Sequence, residues 1–110
     1  MFEIISYVDP KGRAPIEDYI SGLTERQQNK VIAFIRRLEQ MGYNLRRPIA
    51  DSLGGGLALY ELRPGRHRIV YFFHDRNKII LLHAFFKTTN EIPRSEICIA
   101  LKRKRDYEEN

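Results

Sequence analysis

Three strand-like runs, at about 57–63, 67–74 and 78–87, follow one another with only the turn signals "PGRH" and "DRNK" between them. Parallel neighbours need a crossover of roughly a dozen residues or more, so links this short restrict the runs to antiparallel hairpins. A sheet of this kind has to bury at least one face, and the rest of the chain reads as what covers it.

Upstream, "FEIISYV" at 2–8 reads as a first strand ended by the turn signal "DPKG". Pro15 suits the first position of a short helix to about Ser21, with Ile16, Tyr19, Ile20 and Leu23 at helical spacing. A second helix is marked by a capping-box pattern at Thr24 and Gln27, by one apolar stripe (Val31, Phe34, Ile35, Leu38, Met41), and by Gly42 as its stop. Residues 45–56, with Pro48 and the triplet Gly54, Gly55, Gly56, read as irregular. Pro93 opens a final helix with Ile97 and Leu101 at apolar positions and Cys98 as a further candidate. The order β-α-α-β-β-β-α predicts an α+β fold, a mainly antiparallel sheet with the helices packed on one face. Where the first strand joins stays open. A chain of 110 residues is expected to form one domain, 1–110.

Strand alternation, absent a bulge, sorts the three runs into two faces. One collects Ala58, Tyr60, Leu62, Ile69, Tyr71, Phe73, Ile80, Leu82, Ala84 and Phe86, and is apolar. The other collects Leu57, Leu59, Glu61, Arg63, Arg68, Val70, Phe72, His74, Ile79, Leu81, His83, Phe85 and Lys87. The loop "PGRH" sets Arg63 opposite Arg68, a like-charge pair costing roughly 0.2–1 kcal/mol, and an anion between them would reverse that sign. This face is therefore expected to stay partly open as a basic site. With 19 Lys and Arg against 14 Asp and Glu, a net charge of +5 and a pI near 9.6, a polyanion is the favoured partner. The plainer alternative is that Glu61 neutralises Arg63 or Arg68 and the other charges are solvated. His83 has its own plain reading as a half-buried core histidine, and His67 and His74 read as surface histidines at turn edges. Arg66, with Lys102, Arg103, Lys104 and Arg105 of the "KRKR" run, is a candidate contact to RNA phosphates, although such a run is most often a solvated helix face.

The single cysteine excludes an intrachain disulfide and a cysteine-based zinc site, and fits a cytoplasmic setting. No signal-peptide pattern or membrane-length apolar run is present. "GGG" lacks the lysine of a phosphate-binding loop, and no HExxH or GxSxG occurs, so chemistry here relies on Arg, Lys, His, Glu or Tyr, with no metal or cofactor expected.

The segments "LYELRPGRHRIVYFF" and "LLHAFFKTTNEIPRSEICIA" resemble the RelE/ParE toxin superfamily, in its HigB-like, phage-derived branch. Its members share an "ELR…G.yRi.Y" hairpin, an "F.KK" strand end and a "P..EI..A" final helix. The resemblance implies a type II toxin that a cognate antitoxin neutralises, with a small helix-turn-helix protein expected as that antitoxin. It also implies metal-free cleavage of mRNA on the translating ribosome. The motif residues fall on Arg68, Arg63 and Lys87. Thr88 replaces the second lysine of the strand-end motif, and Ile97 and Cys98 stand near where some relatives carry a catalytic tyrosine. In the implied reaction Arg68 stabilises the developing phosphate charge and Arg63 assists. Lys87 serves as base or phosphate ligand, and Glu61 and His83 are further base candidates. A ParE-like inhibitor of DNA gyrase that cuts nothing is the alternative, and a plain RNA-binding protein a third.

Overall fold

The computed structural model describes residues 1–110, which form β1 (Glu3–Ser6), α1 (Pro15–Ser21), α2 (Glu25–Met41), a 3-10 turn (Gly42–Asn44), β2 (Ala50–Ser52), β3 (Tyr60–Leu62), β4 (His67–His74), β5 (Lys78–Phe86) and α3 (Arg94–Glu109). One five-stranded sheet runs β1-β5-β4-β3-β2. The meander β2 to β5 is antiparallel, as its short links require, and β1 joins at the edge, parallel to β5.

Helix α2 starts where the sequence signals it: Gln27 donates its backbone N–H to Thr24 Oγ1, and Thr24 donates its own to the Gln27 side chain, each at 3.2 Å. It stops at Gly42, whose φ of +49° and contact with the Phe2 ring leave no room for a Cβ.

The helices do not share one face, contrary to the simplest expectation. Ile16 of α1 and Val31 and Leu38 of α2 pack with Leu62, Ile69, Tyr71, Ile79 and Leu81 on one side. Ala100 of α3, with Ile97 and Leu101, packs with Tyr7, Leu59, Val70, Phe72, Ile80, Leu82 and Phe85 on the other. β4 and β5 are apolar on both sides, so each side needs a cover. No helix is long and apolar enough to cross a membrane.

The two faces of β5 also depart from simple alternation. Pairing passes from Val70↔His83 to Tyr71↔Leu81, which leaves Leu82 as the extra residue of a β-bulge. Beyond it the alternation inverts, so Ile79 and Leu81 face α1 and α2, while Ile80 and Leu82 face α3. β3 begins at Tyr60 rather than near residue 57, because Ala58 is exposed and left-handed at φ +54°. The stretch read as irregular contains β2, three residues that pair with β3.

Candidate functional site

The register places Leu62 opposite Ile69, so Arg63 and Arg68 flank the β3–β4 turn as the next positions. Arg63 leaves the ladder there, its N–H donating to Ile49 O at 2.8 Å. Arg68 is not open. It is 7% exposed, with its guanidinium Nε 3.3 Å from Glu61 Oε1 and its Nη1 donating to Gly65 O (2.7 Å) and His67 O (2.8 Å). Burial lowers the Arg68 pKa, Glu61 opposes that, and Arg63 and Arg66 lower it further, but a guanidinium stays cationic throughout. The plainer sequence alternative thus holds for this residue: α3 and its surroundings cover the face, and a covered guanidinium requires a counter-charge. Glu61 Oε1 and Arg68 Nε are sealed from solvent and make no hydrogen bond, so the pair is held by charge rather than by alignment. Glu61 Oε1 is thereby committed to the arginine, and the Glu61 side chain as a whole is largely buried.

Around this buried arginine the turn gathers other cations. Arg66 is exposed, donating Nε to Lys87 O at 2.8 Å, while Lys87 N–H donates to Arg66 O at 2.8 Å. Lys87 and Arg63 are half-buried, and neither is in an ion pair. Lys30 of α2, which sequence reasoning missed, stands over the same turn, its Nζ 3.4 Å from where a Cβ on Gly65 would lie. Its distance in sequence hid it; its place on the exposed side of α2 was the available signal. None of the four surface clefts is lined by Arg63, Arg66, Arg68 or Lys87.

His67 is buried against α1, not on the surface, its Nδ1 2.7 Å from Tyr19 Oη. Burial, then Lys30 and Arg68, lower its pKa. His74 is half-buried, 3.8 Å from Asp75.

His83 belongs to a different centre. Val70 lies between it and Glu61 in the ladder, putting their Cα atoms about 10 Å apart at ordinary strand spacing. Its Nδ1 is 3.1 Å from Arg103 Nη1 and its Nε2 2.8 Å from Glu96 Oε1. A guanidinium can only donate, so Nδ1 accepts and Nε2–H donates to Glu96: the ring is the neutral Nε2–H tautomer. Burial lowers its pKa, Glu96 raises it, and Arg103 lowers it. Arg103 also donates to Leu82 O at 2.9 Å, and Tyr7 Oη donates to Asp106 at 2.6 Å, burial and Asp106 pushing that phenol up to about 12. Fully buried Ala100 between Glu96 and Arg103 lets α3 approach the sheet closely. This cluster clips α3 down.

The "KRKR" run divides. Arg103 is held in the clip, and Lys104 donates to Leu57 O at 3.2 Å beside the Phe72 ring. Lys102 and Arg105 are exposed. Successive helical residues turn by about 100°, so four adjacent cations cannot share one face. No three His, Cys, Asp or Glu side chains gather in a metal-holding group, and Cys98 is free and exposed.

The architecture is a RelE-like α+β fold. A chain of the YoeB-YefM complex from Staphylococcus aureus superposes with a TM-score of 0.56, at 20% identity, over 79% of this chain and 98% of that one. Residues 18–105 match the family described as Phage derived protein Gp49-like (DUF891), and the chain belongs to that family. No curated protein matches it.

Proposed function

We propose that this protein is the toxin of a type II toxin-antitoxin system, a metal-independent endoribonuclease that cuts mRNA on the translating ribosome in the cytoplasm. The observation that carries the reading is Arg68, fixed by Gly65 and His67 carbonyls at a sheet end where Arg63, Arg66 and Lys87 converge, in a RelE-like fold. Arg68 Nη2, the guanidinium nitrogen with no partner in the chain, would meet the non-bridging phosphate oxygens as charge develops in the transition state. Arg63 would share that charge, and Lys87 would contact the phosphate or the leaving 5′-oxygen. His83, occupied by Glu96 and Arg103, would position α3 rather than transfer protons. With Glu61 paired to Arg68 and His83 engaged by Glu96 and Arg103, the rate is proposed to rest on charge stabilisation and on the ordering of RNA by the ribosome. The partner would be a small helix-turn-helix antitoxin; the YoeB-YefM structure is of a complex, which supports a partner-bound state here.

The test is primer extension on a defined mRNA translated with purified protein. New 5′ ends within codons are expected, absent without translation and absent when both Glu61 and Arg68 are replaced. Unbroken mRNA, with inhibition of gyrase supercoiling instead, would overturn the reading in favour of the ParE-like alternative.

A further inference from the structure

The outward side of α2 carries Arg26, Lys30, Arg36 and Arg37, interleaved with Asn29, Ala33 and Gln40, all exposed. At about 100° per residue these seven fall within one third of the helix circumference. None is acidic, and none of the four cations is in an ion pair. The helix is rigidly seated by fully buried Val31 and Leu38 and by its capping box, so the cations keep fixed spacing. Arg26 and Arg37 stand about 16 Å apart along the axis. Lys30 meets the β3–β4 turn, so the stripe runs without a break into the cationic sheet end.

We infer that α2 is a docking surface for the phosphate backbone of double-stranded RNA, adjoining the site at Arg68 but separate from it. Like charges at i, i+4, such as Arg26 and Lys30, disfavour a free helix by roughly 0.2–0.5 kcal/mol, and an anion on the stripe reverses that sign. Single strands are held by stacking bases on aromatic rings, and the stripe has no ring. Protein interfaces have apolar or aromatic centres depleted of lysine, and here the centre is cationic: Ala33 is the one apolar side chain within the stripe, and Ile32 and Met41, each 39% exposed, stand at its edges. A duplex, with its dense and regular phosphates, needs neither stacking nor an apolar anchor. The choice of RNA over DNA rests on the proposed function; the duplex does not.

The test is binding of the full chain to a short labelled RNA duplex, by fluorescence anisotropy between about 50 and 200 mM salt. Substituting Arg26→Gln, Lys30→Gln and Arg37→Gln is expected to reduce the slope of log K against log salt by about 2 to 3, close to one per cation lost. A matched variant with Lys11, Arg76 and Arg94 changed to Gln removes the same charge from exposed positions elsewhere and should move the slope less than half as far. Glutamine keeps helix propensity near that of Arg and Lys, circular dichroism checks the fold, and Lys30→Gln alone should lower the slope by about 1. Equal slopes for the stripe and matched variants overturn the assignment. So does tighter binding of single-stranded RNA, a DNA duplex or an acidic peptide than of the RNA duplex. Because binding is read without cleavage, a protein that leaves translated mRNA intact yet binds RNA duplex through α2 defeats the nuclease reading and not this surface.

Discussion

Arg68→Ala is the natural test of the candidate site, and the structure predicts that it will not be a clean one. Arg68 and Glu61 are each 7% exposed, and the carboxylate atom facing the guanidinium has no other partner. Removing the arginine strands a buried carboxylate and frees the Gly65 and His67 carbonyls, and breaking a buried pair in this way costs about 3–5 kcal/mol. Against a total stability of roughly 5–15 kcal/mol, that is about a fifth or more. With a urea m-value of about 1.5 kcal/mol/M, the unfolding midpoint should fall by roughly 2–3 M. Glu61→Leu combined with Arg68→Met should restore most of the loss, since well-packed apolar residues replace a buried pair at little or no cost. The assay is urea unfolding followed by circular dichroism on the wild type, both single variants and the double variant. If Arg68→Ala unfolds within about 0.5 kcal/mol of wild type, as an ordinary surface change would, the buried-pair reasoning fails. The folded double variant, and not the alanine variant, then gives an interpretable test of toxicity.

His83 is held neutral with a pKa below the usual 6.5, so the folded state binds fewer protons than the unfolded one. Stability is therefore full above that value and is lost as pH falls through it. Hydrogen exchange in α3 should accelerate as pH falls below the ordinary histidine value of 6.5, and His83→Gln should flatten that dependence while the one from His67 persists. Gly42→Ala should lower stability by about 2–4 kcal/mol in thermal or urea unfolding, combining a left-handed backbone with overlap on Phe2. Thr24→Ala should cost about 1 kcal/mol by the same measurement through loss of the cap. Arg63→Glu with Lys87→Glu should weaken binding of the proposed antitoxin and flatten its salt dependence in calorimetry; unchanged affinity would place that partner elsewhere.

Local signals read well because they act locally. The capping box, Pro15, Gly42 and the two hairpin turns each specify their element within a few residues, and the β3–β4 register follows from the turn length. What failed depended on spatial neighbours. The bulge at Leu82 leaves no mark, since leucine suits either face, and it inverted four assignments. β2 is three residues long and exists through its pairing with β3. That Arg63 and Arg68 flank one turn was legible from the turn length, whereas the burial of Arg68 beside Glu61 depended on spatial neighbours, and Lys30 arrives from a helix distant in sequence.

The bulge also changes what this chain tolerates by way of lost residues. Deleting one residue from a strand ordinarily turns every following side chain to the wrong face. Here, removal of Leu82 would join Leu81 to His83 with their partners Tyr71 and Val70 already adjacent, so every existing β4–β5 pair keeps its register. The loss would be confined to one buried side chain under α3 and the carbonyl that receives Arg103. The centre of this sheet, normally the last place to accept a length change, thus holds one position at which the chain can be shortened without rethreading.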